Sequence, residues 1–421
     1  MFCPQCGSKL ADGAKFCPSC GAPVAAAAPP AATPPAQASA PTPLPVRSRR
    51  SKAPLVIGGV AVLVVAAIVA LAVFVLPHLM GCSSWERLAN NDSLNYMAGT
   101  ATDGEKIYFY STKAGGICSS PKDGSSAQLI YPIDANTSYV AGFAVDGGRI
   151  YFCVSDYMGD DTRNREVHSI KTDGTDDKIL LTEPVEQEDQ YSSLDQLLVY
   201  DNTIYMATFY GGASSGGDKG HVTISTMGVD GSNWQERCRI NDNLISGSLL
   251  MGHDTIYYAD GTSISSVSLD GEDYRSIYVT QGEWIRSLAV EDGRLFFNEG
   301  GGGTASIATV AVDGTDHQTI YTFPGRSSGS LKAVHDGTVY FESYTLDYDQ
   351  IDVGTWDLMS VPATGGEAKT VLEDVGLYNP SLMDLGFGLM GLENGQYQGS
   401  VGEAAMLVGY DGSGVTMIPL G

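Results

Sequence analysis

Residues 140–181 read VAGFAVDGGRIYFCVSDYMGDDTRNREVHSIKTDGTDDKILL, and this stretch decides the fold. Two turns, Asp146-Gly147 and Asp173-Gly174, separate short runs in which apolar and polar residues alternate. An Asp-Gly turn between such runs is the strongest local signal for a β-hairpin. The stretch therefore predicts two hairpins, with strands at Val140–Val145, Arg149–Val154, Val167–Lys171 and Asp177–Leu181.

The same two-hairpin unit recurs between residues 85 and 420. An aromatic-rich run follows the first turn of most units, as in Ile107-Tyr108-Phe109 and Val339-Tyr340-Phe341. From Asp123 onward, the second turns are separated by 50, 57, 40, 43, 51 and 47 residues. Four strands at that period are typical of a β-propeller, in which stacked blades bury both faces of each sheet. We predict an all-β propeller of seven blades, with six or eight blades, or a sandwich without ring closure, as alternatives.

An apolar segment precedes the repeat. Leu55–Leu76 contains 22 residues without a charged side chain, and Pro54 and Pro77 bracket it. A helix of that length spans about 33 Å, enough to cross the hydrocarbon core of a bilayer. The cations just before it, Arg47, Arg49, Arg50 and Lys52, predict a cytoplasmic N-terminus and an extracytoplasmic C-terminal part. The predicted single-pass membrane protein thus has a transmembrane helix at 54–77 and its propeller at 78–421.

Charge is distributed unevenly about this segment. The formal net charge of the chain is −25, yet residues 1–80 carry six cations and one acid. The remaining residues carry 18 cations and 48 acids. Nucleic-acid binding through a general basic surface is excluded, because contact with phosphates needs clustered cations. The expected partners are instead the lipid bilayer and an envelope glycan or protein.

The N-terminus carries a metal-binding pattern. Cys3-Pro4-Gln5-Cys6-Gly7 and Cys17-Pro18-Ser19-Cys20-Gly21 are two copies of one motif. Their four thiolates, in two close pairs, suit tetrahedral zinc. We predict a structural zinc ribbon at 1–21 with Cys3, Cys6, Cys17 and Cys20 as ligands; a disulfide pair and a redox motif are the alternatives. Residues 22–53 form a linker rich in Ala and Pro that ends in the basic juxtamembrane segment.

Two resemblances follow from these motifs. The cysteine motifs resemble the short zinc ribbons at the cytoplasmic start of many bacterial membrane proteins, which implies a closed structural site. The repeated pattern "DG-x-IYF … I-x-S-x-x-x-DGT" resembles bacterial surface propellers related to the YWTD propellers of low-density-lipoprotein receptors. This second resemblance implies a propeller fold and a cell-surface location.

The repeat region shows no established catalytic motif. No His-Glu-x-x-His metal pattern occurs. The first strand of each unit is expected to line the central channel of the propeller. These strands offer Arg286 and Lys332 but few acidic residues that could act in catalysis. We therefore expect a binding or scaffold module that is not an enzyme. The alternatives are a propeller enzyme acting on envelope glycans and a ligand sensor that signals to the zinc ribbon.

Several smaller features stay open at this stage. Acidic loops at 156–161 and 347–352 offer carboxylates that could hold Ca²⁺, or are solvated loops of an acidic protein. Cys82 ends the segment Leu79–Cys82, which resembles a bacterial lipobox, so this cysteine could be lipidated. The alternative is an ordinary juxtamembrane cysteine. Cys82, Cys118, Cys153 and Cys238 are either free thiols or disulfide partners.

Overall fold

The structure is a computed structural model that describes residues 99–156, 163–185, 192–210, 220–240, 249–252, 254–325, 327–345, 356–373, 381–392, 405–410 and 414–420. The predicted zinc ribbon, linker and transmembrane helix lie outside these residues. Within the described ranges, no helix has the length and apolar character needed to cross a membrane. The chain divides into two compact units, residues 1–67 and 68–421, and every described residue belongs to the second.

The described residues form seven antiparallel sheets of four strands, which confirms the seven-bladed prediction. Each blade consists of four consecutive strands, labelled a to d in chain order. The strands of blades 1 to 3 are β1 (Thr100–Thr102), β2 (Lys106–Ser111), β3 (Gly116–Pro121), β4 (Gln128–Pro132), β5 (Ser138–Asp146), β6 (Arg149–Asp156), β7 (Arg163–Lys171), β8 (Lys178–Val185), β9 (Ser192–Tyr200), β10 (Thr203–Tyr210), β11 (His221–Gly228) and β12 (Gln235–Ile240).

Blades 4 to 7 complete the ring and include the seventh unit, whose sequence marks the pattern least clearly. Their strands are β13 (Leu249–Met251), β14 (Thr255–Ala259), β15 (Ser263–Ser268), β16 (Arg275–Val279), β17 (Trp284–Glu291), β18 (Arg294–Gly301), β19 (Thr304–Ala311), β20 (Gln318–Thr322), β21 (Ser327–His335), β22 (Thr338–Thr345), β23 (Trp356–Pro362), β24 (Lys369–Leu372), β25 (Ser381–Asp384), β26 (Leu389–Leu392), β27 (Ala405–Val408) and β28 (Val415–Ile418).

The two kinds of turn differ in backbone conformation. At the a–b turns of blades 3, 5 and 6 both central residues have positive φ, for example 49° at Asp292 and 72° at Gly293. This is the predicted type I′ geometry. Within the Asp-Gly pair of the c–d turns only the glycine has positive φ, as at Gly174 with 85°. There the aspartate before the glycine caps the turn: Asp173 Oδ1 accepts the backbone N–H of Thr175 at 2.9 Å.

The glycines of the c–d turns also join neighbouring blades. A Cβ on Gly174 of blade 2 would lie 2.0 Å from the carbonyl oxygen of Ile130 in blade 1. Each of the other c–d turn glycines likewise approaches the d strand of the preceding blade; they are Gly124, Gly231, Gly271, Gly314 and Gly365. The a–b turn glycines, such as Gly293, face open space. Close contact between blades therefore explains why the second Asp-Gly turn recurs so regularly.

Apolar packing between blades supplies the core. Six clusters of buried side chains each span adjacent blades. One of them closes the ring, because Phe109 of blade 1 packs with Met390 and Ile418 of blade 7. The b-strand tyrosines are nearly all buried, with Tyr108 only 1% exposed, as the expectation of packing between blades requires.

An aromatic contact repeats across three interfaces. A tyrosine on the d strand of one blade packs against a phenylalanine on the b strand of the next, with ring centroids 4.7 to 5.7 Å apart; the pairs are Tyr131–Phe152, Tyr278–Phe297 and Tyr321–Phe341. The hydroxyl groups of Tyr131 and Tyr278 donate to carboxylates of the next blade. The antiparallel topology places the a–b and c–d turns on one face of the ring, the turn face. The b–c and d–a connections lie on the opposite face, the loop face.

Candidate active site between blades 6 and 7

The repeat breaks at the interface between blades 6 and 7. The third position of the aromatic run on the b strand holds a large side chain in blades 1 to 6: Phe109, Phe152, Met206, Tyr258, Phe297 and Phe341. Blade 7 has Gly391 there, and a Cβ on it would lie 2.9 Å from the Cε atom of Met406. Met406 therefore occupies the space that a large side chain, aromatic in five of the six cases, fills in the other blades. Departures from a repeat of this kind are expected at functional sites.

Two buried charges lie on the blade 6 side of this interface. Lys332 sits at a β-bulge in β21, and its Nζ atom lies 3.3 Å from Oε2 of Glu342 on β22. The side chain of Glu342 is fully buried, and Glu342 Oε1 has no hydrogen-bond partner. Burial raises the pKa of the Glu342 carboxyl, and the neighbouring ammonium offsets part of that rise. Arg286, by contrast, is exposed and stacks over Trp284 at 5.3 Å.

A cluster of three side chains joins the two blades near the turn face. His335 ends β21, and its Nδ1 atom lies 2.8 Å from Oδ2 of Asp384, the last residue of β25. The carboxylate of Asp384 also accepts the hydroxyl of Tyr410 and the backbone N–H of Gly386. The ring of Tyr410 stacks on the imidazole, with centroids 4.4 Å apart. His335 is therefore held by Asp384 at Nδ1 and by an aromatic face, while its Nε2 lies 3.4 Å from Oδ2 of the exposed Asp336.

This arrangement determines how His335 handles a proton. Because Nδ1–H donates to Asp384, Nε2 is the nitrogen that exchanges protons with a ligand. Burial lowers the pKa of His335, but the hydrogen bond and charge of Asp384 raise it by more, so the net shift is upward. Asp336 and Glu291 add to the rise. The raised pKa favours the protonated imidazole, the form that a general acid requires, and the deprotonated form would serve as a base.

A cavity of about 410 Å³ adjoins this cluster. Its polar lining comes from Thr338, Ser360, Glu367, Lys369, Thr370 and Tyr410, and His335 reaches it only through its contact with Tyr410. Tyr410 belongs to both the cavity wall and the His335 cluster, and Thr338 pairs with His335 in the β21–β22 hairpin. A titratable group with a shifted pKa beside a concave surface is the usual mark of an active site. We term these residues and the cavity the blade 6–7 site.

Two other histidines make similar contacts elsewhere in the ring. His317 Nε2 lies 3.0 Å from Oε1 of Glu299 and stacks on Tyr278. His168 Nδ1 lies 3.0 Å from Oδ1 of Asp177. The first pair lies within blade 5 and the second within blade 2, and neither includes a residue that lines the cavity.

Sequence reasoning found only part of this site. Lys332 was expected on an inner strand, which the structure confirms, but it is buried and paired. Asp384 was missed because the seventh unit lacks the Asp-Gly turn and aromatic run that mark the other units. His335 was missed because a single histidine beside a turn carries no signal until its partner from another blade is known.

The remaining expectations have mixed outcomes. Cys118, Cys153 and Cys238 are free, buried thiols. Burial raises the pKa of the Cys153 thiol to about 12, so this thiol is unreactive. The zinc ligands, Cys82 and nearly all residues of the two acidic loops lie outside the described residues. In the part of the ring that the structure describes, no group of three or more His, Cys, Asp or Glu is placed to hold a metal ion.

Comparison with protein families identifies the N-terminal segment. Residues 2–24 match the zinc-ribbon domain family. A comparison with curated proteins finds no match. The chain thus combines a zinc ribbon with a seven-bladed propeller.

Solved structures share the propeller fold. A puromycin hydrolase complex matches over 80% of this chain and 55% of its own, at 11% identity and a TM-score of 0.51. An oligogalacturonate lyase in complex with manganese matches over 74% of this chain and 88% of its own, at 11% identity and a TM-score of 0.50. A nidogen/laminin complex matches over 58% and 86%, at 15% identity and a TM-score of 0.39. The chain spans about half the length of the puromycin hydrolase, and at these identities the likeness is one of fold.

These matches correct one prediction. The chain was expected not to be an enzyme, and that expectation is contradicted, because propellers that it matches belong to a hydrolase and a lyase. The argument against catalysis relied on the scarcity of acids on the inner strands. The structure places Asp384 on the inner strand of blade 7 and pairs it with a histidine, so that argument fails.

Proposed function

We propose that the propeller is an enzyme that acts on an envelope glycan at the blade 6–7 site, with His335 as the general acid or base. The observation that carries this proposal is the hydrogen bond between His335 and Asp384 beside the cavity. Sugar hydroxyls and ring faces suit a polar cavity with a tyrosine in its wall. The lyase among the structural matches acts, by its name, on an oligosaccharide, which agrees with this substrate class.

Each residue has a defined role in the proposed reaction. Asp384 fixes the tautomer of His335 and stabilises the imidazolium form. In hydrolysis, the protonated Nε2 of His335 would give its proton to the leaving oxygen while a water molecule forms the new bond to the anomeric carbon and releases a proton to solvent. In elimination, the neutral Nε2 would take the proton next to the sugar carboxyl group as the C=C bond forms and the glycosidic C–O bond breaks, and the imidazolium would then protonate the leaving oxygen. Thr338, Ser360 and Lys369 offer donors that would orient the hydroxyl and carboxyl groups of the sugar. No metal is needed for these steps.

The location of the protein belongs to the same proposal. Residues 54–77 would cross the cell membrane, with the zinc ribbon in the cytoplasm and the propeller outside. The positive charge before this span and the acidic repeat after it support that orientation. The ribbon would hold one structural Zn²⁺ through Cys3, Cys6, Cys17 and Cys20, and its match to the zinc-ribbon family supports this part.

The test measures turnover by the full-length chain in detergent on a panel of purified envelope glycans. Reducing-end release and ultraviolet absorbance report hydrolysis and elimination respectively. We expect H335Q to lose at least about 100-fold in rate, because general acid–base catalysis contributes that much. The matched control is H317Q, which also removes a stacked, carboxylate-paired histidine but lies away from the cavity. Absence of turnover on every glycan, or equal rates for H335Q and the unaltered protein, would refute the proposal.

A further inference from the structure

A second site is indicated by an arginine between blades 2 and 3. Arg165 lies on β7, and its side chain is only 4% exposed. The equivalent strand position holds buried apolar residues in other blades, Val222 in blade 3 and Ala305 in blade 5. A buried charge where the repeat is apolar carries a desolvation cost that packing does not require.

The guanidinium of Arg165 is incompletely paired. Its Nε and Nη2 atoms both contact Oε2 of Glu183, at 3.0 and 2.9 Å. Its Nη1 atom is buried and has no hydrogen-bond partner. A buried donor left without an acceptor destabilises the folded state. The two N–H groups of Nη1 are therefore buried donors that no acceptor in the structure satisfies.

Arg149 of the same blade, unlike Arg165, has partners for all of its side-chain nitrogens. Arg149 on β6 donates from Nε to Ser169, from Nη1 to Asp176 and from Nη2 to two backbone carbonyl oxygens. Arg294 repeats this pattern on Asp316 in blade 5. These two arginines tie the c–d hairpin of their own blade to the b strand. Arg165 does not take part in that scheme.

Polar groups of the next blade face the same interface. Arg165 shares a side of β7 with Val167, which packs against blade 3. Burial lowers the pKa of Arg165, but the charges of Glu183 and, to a smaller extent, of Cys153 and Tyr210 raise it by more, so Tyr210 of blade 3 lies within electrostatic range of this arginine. Ser192 pairs with Tyr210 across β9 and β10, and its buried Oγ has no hydrogen-bond partner. A donor from each blade thus lies near the loop-face end of this interface.

We propose that this place binds a carboxylate of a ligand, with Arg165 Nη1 and Ser192 Oγ as donors. A guanidinium edge and a hydroxyl match the planar, singly charged carboxylate group. Glu183 already neutralises part of the arginine charge, and the propeller is strongly acidic, so a phosphate with two charges is disfavoured. The carboxylate is carried by an acidic sugar or by an amino acid. This proposal is independent of catalysis at the blade 6–7 site.

The test is a titration of the full-length chain in detergent with glucuronate, glutamate and, for comparison, glucose. Isothermal calorimetry should show saturable binding of one of the two carboxylates but not of glucose. R165Q should abolish this binding, S192A should weaken it about 5- to 10-fold, and R149Q should leave it unchanged. R165K keeps the charge beside Glu183 but loses the forked donor, and it should bind at least 10-fold more weakly.

Folding is checked separately by circular dichroism, so that loss of binding is not confused with loss of structure. If R165Q does not fold, R165K and S192A decide the outcome. Binding that persists unchanged in R165K and S192A would overturn the proposal. Failure of both carboxylates to bind the folded, unaltered protein would also overturn it, whatever the glycan turnover assay finds.

Discussion

The ammonium of Lys332 lies 3.3 Å from the carboxylate of Glu342, and both side chains are buried within blade 6. Removing one charge of such a pair leaves the other uncompensated in a medium of low polarity. We expect K332M to lower the free energy of unfolding by about 3–5 kcal/mol. The double variant K332M/E342L should recover most of that loss, because neither charge then remains buried. Urea unfolding followed by tryptophan fluorescence measures both changes; an unchanged midpoint for K332M would show that Glu342 is neutral without its partner.

The pairing of His335 with Asp384 predicts a specific pH dependence. The pKa of His335 is raised in the folded protein, so the stability gained from this pair is fully present below about pH 6.5, the value of an unfolded histidine. It is lost as the pH rises through the higher folded value. Thermal midpoints of the unaltered protein should fall over that window more than those of H335Q. Equal slopes for the two proteins would mean that the pair does not form.

Two glycines provide a matched test of blade-to-blade contact. Gly174 and Gly293 both have positive φ, but only a Cβ on Gly174 would collide with a neighbouring blade. G293A should cost about 1 kcal/mol, the backbone penalty alone. G174A adds the collision with the carbonyl oxygen of Ile130 and should cost about 3 kcal/mol or more. Chemical unfolding of both variants measures this difference. Similar losses of unfolding free energy would show that the backbone at Ile130 in blade 1 moves aside at little cost.

The zinc ribbon predicts one tightly bound metal ion per chain. Four thiolates are needed for a closed tetrahedral site, so C3S and C17S should each lose zinc. C82S should keep the full amount, because Cys82 lies outside the motif. Elemental analysis of the purified full-length chain gives the ratio directly. One zinc retained by both C3S and C17S would place the metal elsewhere.

The local part of this fold could be read from the residues, and the assembly of the site could not. Turn residues act within a few positions, so Asp173-Gly174 already predicts a hairpin, and its period predicts a propeller. The blade 6–7 site forms from His335 and Asp384, which are 49 residues apart in the chain. Their contact depends on how two sheets are placed side by side, which no local pattern encodes. For the same reason Arg165 appeared as an ordinary strand residue.

The way in which the ring is sealed has a consequence for how it opens. Blades 1 and 7 each complete their own sheet, so the two ends of the propeller share no β-ladder. Among the described residues, side chains join them, through packing around Phe109, Met390 and Ile418 and through the ammonium of Lys122 over the ring of Phe387. We therefore expect amide protons of β1 and β28 to exchange with solvent sooner than those of β17 and β18, as measured by mass spectrometry. The ring would therefore open first at the contact between its two terminal blades, and those blades would unfold before the others.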